Sequence, residues 1–188
     1  MSDADAPRRS VIYTRTGDDG TTGLFYGGRV RKDDPAPTAY GDVDEAQAVI
    51  GVARALCADG DPRLDEILIA VARDLYVMMA ELATAPANRH KLEPGTSLVS
   101  KAMVVALEQR IDDVSARFDA PSEFVVPGGD LGAAQLDLAR TVVRRAERRA
   151  LSVAVDDSHV VSYLNRLSDL LWTLARWREG TSLPARAD

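Results

Sequence analysis

The chain has 188 residues, of which 46% are hydrophobic and 28% are charged, a profile typical of one globular domain with a continuous core. Its formal net charge of −6 argues against nonspecific binding of nucleic acid, because domains that do so carry surplus positive charge. Its apolar runs are far shorter than a membrane span. The single cysteine, Cys57, cannot form an internal disulfide, which is consistent with a reducing compartment. We therefore expect a cytoplasmic domain that binds neither nucleic acid nor membranes.

The N-terminal part of the chain is polar and rich in glycine. Residues 1–10 lack the apolar stretch of a signal peptide, and we predict a short disordered lead. A single domain is predicted over residues 11–180, beginning with a glycine-rich arm over 11–38. Residues 181–188 are predicted to be a flexible tail.

The segment from Tyr13 to Gly23 contains three glycines and four threonines within eleven residues, together with Arg15. Glycine lets backbone N–H groups approach an oxyanion closely, and threonine adds hydroxyl donors, so this segment could wrap a polyphosphate with Arg15 and Lys32 supplying charge. A flexible surface loop is the alternative interpretation. The segment is not a Walker A loop, because the spacing of Gly23 and Gly28 is followed by arginine and valine instead of Lys-Ser/Thr.

Apolar residues recur at alternating steps of three and four in five segments, which predicts five amphipathic helices. Frequent alanine and leucine also favour an all-α bundle. The predicted helices cover about 41–58, 63–83, 98–118, 131–153 and 157–179. A polar connection without periodicity lies over residues 84–97.

The fourth predicted helix carries a row of arginines. Arg140, Arg144 and Arg148 are four residues apart and therefore lie on one face. Ordinary ion pairs with Asp137 and Glu147 on a solvated face are one interpretation. A site for a triphosphate or a carboxylate is the other.

Few residues suggest covalent or acid–base catalysis. His90 and His159 are isolated, and no Ser/His/Asp or Cys/His grouping is visible. Phe124 precedes a Pro-Gly-Gly turn at 127–129, which would fix its position near the start of the arginine helix. Asn165 lies on the fifth helix, away from the leucine stripe, and is either solvated or directed at a ligand.

Four motifs in order resemble those of the PduO-type ATP:cob(I)alamin adenosyltransferases. They are the arm from Tyr13 to Gly20, the run from Lys32 to Pro35 leading to Gly41 and Asp44, the Pro-Gly-Gly turn with the arginine helix, and the run from Leu164 to Asp169. The resemblance extends from about Tyr13 to Arg176. It is weakest between residues 58 and 123.

This resemblance implies a homotrimeric five-helix bundle that moves the 5′-deoxyadenosyl group of ATP to the cobalt of reduced cobalamin. It implies that Phe124 occupies the lower face of the corrin, and that Asp44 and Arg140 pair across an interface to shape the corrinoid site. ATP would arrive with Mg²⁺, and no protein side chains are assigned as metal ligands. A reductase and a downstream cobalamin-dependent enzyme are the expected partners. The residues implied in ATP binding are Thr14, Arg15, Thr16, Gly17, Asp18, Gly20, Thr21, Thr22, Lys32, Arg144, Arg145, Glu147, Arg148 and Asn165.

The chain departs from the family pattern at three positions. Ala46 and Gln47 stand where Leu and Asn are common, and Arg15 often corresponds to Lys; a guanidinium keeps the charge but differs in geometry. Two other functions use the same residues. One is a carrier or sensor of corrinoid or nucleotide, and the other is a helical interaction module whose arginines bind an acidic partner.

Overall fold

The computed structural model describes residues 12–186 and contains five α-helices, which confirms the predicted all-α bundle. The predicted lead at 1–10 and the last two residues of the predicted tail lie outside the described part. A 3₁₀ turn at Pro86–Lys91 occupies part of the predicted polar connection. The helices are α1 Pro35–Leu56, α2 Pro62–Leu82, α3 Lys101–Ser115, α4 Leu131–Ala150 and α5 Val160–Glu179.

Helix α4 lies at the centre of the bundle, packed against α1 and α5, while α2 packs on α1 and α3 packs on α5. The stripes predicted from periodicity form the core. Alanines on α1 and α4, such as Ala46 and Ala139, are fully buried and allow these helices to approach closely, while α5 contributes large side chains such as Leu164 and Leu171. No helix within residues 12–186 is long and apolar enough to cross a membrane.

Helix α1 begins at Pro35, earlier than the predicted start near residue 41. The helix starts with prolines at positions 35 and 37. In the first turn of a helix, the backbone N–H groups have no partner within the helix, so proline loses nothing there. The arm is therefore shorter than predicted and ends at Asp34; below, "the arm" means residues 12–34.

Two short antiparallel ribbons flank the bundle, and neither was predicted. In the arm, β1 (Thr21–Gly23) pairs with β2 (Arg29–Arg31). Near the C-terminus, β3 (Val125–Val126) pairs with β4 (Leu183–Pro184), and we call this pair the C-terminal ribbon. Part of the segment predicted to be a flexible tail is thus hydrogen-bonded to the strand that follows Phe124.

The tip of the arm is attached to the end of α2 and the 3₁₀ turn. The Phe25 amide donates to the Ala83 carbonyl at 2.9 Å, and the Tyr26 hydroxyl donates to the Lys91 carbonyl at 3.0 Å. A cavity of about 440 Å³ lies beside this attachment, lined by arm residues such as Leu24 and by the turn that follows α4. These contacts hold the tip, whereas the glycine–threonine segment lies at the surface.

A polar contact joins α2 to α5 inside the bundle. The hydroxyl of Tyr163, a fully buried residue, donates to Asp74 Oδ2 at 2.8 Å. Burial raises the pKa of Asp74 above its ordinary 3.8, and this effect outweighs the hydrogen bond from Tyr163 and the positive charge of Arg110, which lower it. The pKa of Tyr163 is raised in turn, by burial and then by the charge of Asp74.

We expect Asp74→Asn to change how stability depends on pH. The folded state binds the Asp74 proton more tightly than the unfolded chain does, so this group's contribution is lost as pH rises from about 3.8 through the raised pKa. Asparagine keeps an oxygen acceptor for Tyr163 but does not titrate. Urea unfolding of both proteins from pH 4 to 7 should therefore show the variant gaining stability relative to the wild type. Parallel curves would contradict this assignment.

Candidate functional site

The loop that opens the arm is held together by its own side chains. Asp19 accepts hydrogen bonds from the Thr21 amide (2.9 Å) and hydroxyl (2.7 Å), which lower the pKa of its carboxyl. Arg29 donates to the Thr21 hydroxyl and to the Thr16 carbonyl. The hydroxyls of Thr14 and Thr16 bond to each other at 2.9 Å. Arg29 therefore holds this loop together. We did not predict this role from the sequence, although Arg29 directly follows Gly28 and begins a basic run.

Glycines shape the loop around Lys32. A Cβ on Gly17 would lie 3.1 Å from Lys32 Nζ, so the ammonium group packs directly on this glycine. The Lys32 amide donates to the Gly20 carbonyl at 2.9 Å, and Gly20 has a φ of 80°, a conformation that favours glycine. Arg15 also has positive φ, at 61°, and its guanidinium lies 5.3 Å from the centre of the Tyr13 ring.

The two predicted cations of the arm are not neutralised by carboxylates. Within residues 12–186, neither Arg15 nor Lys32 makes an ion pair, although Arg29 and Arg31 pair with Asp19 and Asp33 respectively. Both predicted cations are exposed. Their charges are therefore available to an anion.

The arginines of α4 divide into two groups. Arg145 pairs with Glu45 and lies 3.9 Å from Asp42, Arg149 also lies 3.9 Å from Asp42, and Arg140 lies 3.5 Å from Asp137. By contrast, Arg144 and Arg148 are exposed and form no ion pair with any described carboxylate.

Those two free arginines lie close to a third polar group. Arg148 donates to the Arg144 carbonyl at 2.9 Å, which places both on the same turn of α4. Glu147 accepts a hydrogen bond from the Asn165 amide at 3.1 Å, so this carboxylate joins α4 to α5 instead of neutralising an arginine. Of the arginine row, Arg140 therefore pairs as the ion-pair interpretation predicts, whereas Arg144 and Arg148 have no carboxylate partner within residues 12–186.

Two buried polar atoms on the α1 and α4 surface have no hydrogen-bond partner among the described residues. They are Asp42 Oδ2 and Arg140 Nε. Both atoms still lie near an opposite charge, since Arg140 Nε is 3.5 Å from Asp137 Oδ1 and Asp42 Oδ2 is 3.9 Å from Arg145 and Arg149. Their charges are therefore compensated but their hydrogen-bonding capacity is not, which is uncommon for buried polar atoms.

Phe124, the aromatic residue predicted for the corrinoid site, is 91% exposed to solvent. Its carbonyl accepts from the Ala185 amide at 2.7 Å, next to the C-terminal ribbon. The Pro-Gly-Gly turn that follows includes Gly128 with a φ of 120°, a value that only glycine adopts readily. A large aromatic held in water on a hydrogen-bonded ribbon is positioned for contact with a flat apolar ligand or a partner.

One chain does not bring all the predicted residues together. The arm residues form one group, and the residues of α4 and α5 form another, with no hydrogen bond or ion pair between arm and α4 over residues 12–186. Asp44 is exposed, and Arg140 pairs with Asp137 instead. Gln47, where the pattern commonly has Asn, donates to the Ala72 carbonyl at 2.6 Å and so ties α1 to α2.

Metal-binding and nucleophilic groups are sparse in the described part of the chain. Residues 12–186 contain no cluster of three or more His, Cys, Asp or Glu that could hold a metal ion. Cys57 is buried, and burial raises the pKa of its thiol. The predicted site residues in the described part are chiefly cations, hydrogen-bond donors and one aromatic ring.

The structure combines a helical bundle with a glycine–threonine arm, an arginine-rich helix face and an exposed aromatic ring. Residues 12–178 match the family model described as cobalamin adenosyltransferase. The chain belongs to this family.

Named relatives and a solved structure agree with this assignment. The corrinoid adenosyltransferase of Mycobacterium tuberculosis is 42% identical over 183 residues, covering 90% of this chain and 93% of the relative. The corrinoid adenosyltransferase PduO of Salmonella typhimurium is 40% identical over 169 residues, covering 88% of this chain but only 49% of the relative, so the chain spans about half of that protein. A variant of the PduO-type ATP:corrinoid adenosyltransferase from Lactobacillus reuteri, complexed with cobalamin and ATP, matches with a TM-score of 0.83 at 30% identity. That alignment covers 93% of this chain and 96% of the other.

Proposed function

We propose that this protein transfers the 5′-deoxyadenosyl group of ATP to the Co(I) centre of reduced cobalamin, releasing triphosphate and forming adenosylcobalamin. The observation that carries the proposal is the set of four exposed cations without carboxylate partners, on motifs that the family shares: Arg15, Lys32, Arg144 and Arg148. A polyanion such as triphosphate can accept charge-assisted hydrogen bonds from such a set.

The reaction requires no protein nucleophile. The electron pair on Co(I) attacks the 5′ carbon of ATP, a Co–C bond forms, and the C–O bond breaks with its electron pair leaving on the triphosphate. Cobalt is formally oxidised to Co(III) as it gains the alkyl group. Because negative charge grows on the leaving group, cations placed along it stabilise the transition state more than the ground state.

We propose that ATP is bound by the arm residues and by the part of α4 and α5 that carries the free arginines. Mg²⁺ would accompany the triphosphate and offset part of its charge. Magnesium is commonly held by one or two carboxylates together with substrate phosphates. Asp18 and Glu147 carry carboxylates that could bind Mg²⁺. Within the described residues, Oε1 of Glu147 accepts a hydrogen bond from Asn165, and the other carboxylate oxygens of these two residues make none. The full set proposed for ATP is Thr14, Arg15, Thr16, Gly17, Asp18, Gly20, Thr21, Thr22, Lys32, Arg144, Arg145, Glu147, Arg148 and Asn165.

Phe124, Asp44 and Arg140 are proposed to form the corrinoid site. An axial ligand on Co(II) raises the energy of the orbital that must accept the electron when Co(I) is made. An apolar ring against the lower face of the corrin would exclude both that ligand and water. The 91% exposure of Phe124 supports this role, because the ring is free to make such a contact.

We also propose that the site is completed between subunits of a homotrimer. Among residues 12–186 no hydrogen bond or ion pair links the arm to the α4 arginines, and none joins Asp44 to Arg140, which pairs with Asp137. The buried Asp42 Oδ2 and Arg140 Nε, which make no hydrogen bond within the same residues, support a subunit contact on this surface. A neighbouring copy would supply the missing half of each site.

Co-expressing two impaired variants tests this arrangement. Lys32→Ala removes a cation of the arm, and Arg144→Ala removes one of α4. Co-expressed in equal amounts, they should recover about one quarter of wild-type activity, because each site has an even chance of an intact arm and an even chance of an intact α4 face. A site built within one chain would show no more than the residual activity of the separate variants, and that result would overturn the shared site.

Incubating the protein with Mg-ATP and chemically reduced cobalamin tests the proposed activity. We expect the visible spectrum of a cobalt–carbon product, with turnover in excess of the protein. Binding of both ligands without product would indicate a carrier or sensor. An interaction module would show no thermal stabilisation by excess Mg-ATP, whereas a true ligand must raise the apparent stability.

The proposed reaction defines the remaining partners. A reductase must supply the electron that makes Co(I), and a cobalamin-dependent enzyme must receive the product. The cytoplasm is the proposed compartment, where ATP is available and where a chain with one cysteine needs no disulfide.

A further inference from the structure

A buried ionic network connects the turn that follows Phe124 with the α4 surface that carries Arg140. At its centre is Arg176 of α5, whose side chain is 1% exposed. Arg176 donates to Asp137 Oδ2 at 2.7 Å, and its Nε lies 3.3 Å from Glu179 Oε2 without hydrogen-bonding alignment. The side chains of Asp137 and Glu179 are 9% and 2% exposed.

One end of the network holds the Pro-Gly-Gly turn. Glu179 Oε1 accepts the Gly129 amide at 3.1 Å, and Oε2 accepts the Ser182 hydroxyl at 3.2 Å, just before β4. A Cβ at position 129 would lie 2.8 Å from Glu179 Oε1, so a larger residue there would have to displace the Glu179 carboxylate. Glu179 therefore contacts the segment that follows β3 and the segment that precedes β4.

The other end of the network reaches Arg140. Asp137, one turn earlier on α4, lies between Arg176 on its inner side and Arg140 at 3.5 Å on its outer side. The group contains two carboxylates and two guanidiniums, so its charges balance. Buried pairs of this kind add little net stability, but they are costly to break, and this makes them suited to fixing geometry.

We propose that Glu179 and Arg176 are positioning residues. They hold residues 124–129, which we call the Phe124 loop, at a fixed place relative to Arg140, and so align the two sides of the corrinoid site. This inference rests on the proposed function, because the loop and Arg140 need alignment only if they contact the same ligand. Arg176, Asp137 and Glu179 lie inside the bundle and touch no substrate, whereas Arg140 is the member of the network at the corrinoid site.

Glu179→Ala and Glu179→Gln test the role of the network. Glutamine keeps an acceptor for the Gly129 amide, whereas alanine removes it, so the alanine variant should be the more affected. We expect Glu179→Ala to lower kcat for adenosyl transfer by about tenfold to a hundredfold, the scale for misplacing an active-site group. The KM for ATP should stay within about twofold of wild type, because no residue of the network lies on the triphosphate side. A loss confined to KM for ATP would overturn the proposal.

Leu107→Ala is the matched control for lost stability, since Leu107 is a fully buried core residue of α3 and no member of the network. It should lower the melting temperature but leave kcat near wild type at a temperature where both variants are folded. An equal fall of kcat in Glu179→Ala and Leu107→Ala would show that Glu179 acts only through stability.

Amide hydrogen exchange provides a readout that does not depend on activity. In Glu179→Ala the amides of Val125, Val126, Gly128, Gly129 and Ala185 should exchange faster than in the wild type, while Leu107→Ala should leave them unchanged relative to the rest of the chain. Unchanged exchange in Glu179→Ala would overturn the positioning role. A wild-type protein without adenosyl transfer would instead overturn the proposed function, and the exchange result would still decide whether Glu179 fixes the loop.

Discussion

Phe124→Ala should bind Mg-ATP like the wild type but transfer the adenosyl group about a hundredfold more slowly, the scale of losing one active-site contribution. The ring is 91% exposed and supports no part of the core, so its removal should leave folding intact. What it would remove is the apolar barrier below the corrin. An axial ligand or water would then remain on Co(II), and the reduction to Co(I) would become harder.

Two measurements separate this explanation from a general defect. The visible and electron-paramagnetic spectra of the Co(II) corrinoid, bound with ATP, should show that the variant retains an axial ligand that the wild type excludes. Leu183→Ala is the control, because Leu183 is another exposed apolar residue of the C-terminal ribbon, at 65% exposure. We expect it to retain most of the activity. Wild-type turnover in Phe124→Ala would refute the proposed role of the ring.

Arg144→Ala should raise the free energy of the transition state for adenosyl transfer by about 2–4 kcal/mol, the scale for losing a strong charge-assisted donor. Arg144 has no carboxylate partner among the described residues, so its replacement removes no internal ion pair. The loss should therefore appear in kcat/KM and not in the free energy of unfolding. Steady-state kinetics with varied ATP, together with urea unfolding, measure the two quantities.

Arg73→Ala provides the matched control, since Arg73 is an exposed arginine of α2 that also makes no ion pair within residues 12–186. It should behave as the wild type in both measurements. Arg144→Lys should recover part of the loss, because lysine keeps the charge but not the planar pair of donors. Unchanged kinetics in Arg144→Ala would remove this residue from the site.

The helices were predictable from the sequence because their cores follow a regular period. Residues such as Leu164, Leu171 and Val143 lie on stripes that any helix would bury, and all are fully buried. The start of α1 was not predictable, because prolines such as Pro35 and Pro37 usually indicate a loop, whereas the first turn of a helix accommodates them. The two ribbons have strands of only two or three residues, too short to show alternation.

The candidate site was predictable as a set of motifs but not as an arrangement. Arg144 and Arg145 are neighbours with the same side chain, yet one is free and the other pairs with Glu45, and only folding decides which carboxylate lies within reach. The network through Arg176 joins residues that are far apart in sequence. In the sequence alone, Arg176 resembles any basic residue in the last turn of a helix. The periodicity of apolar residues does not predict such contacts.

The C-terminal ribbon also places the end of the described chain close to Phe124. Because the Ala185 amide donates to the Phe124 carbonyl, the segment that ends at Arg186 lies beside the residue that carries the exposed ring. A bulky group attached to this segment would crowd the ring that is proposed to contact the corrinoid. A cleavable affinity tag is therefore the better design at this end.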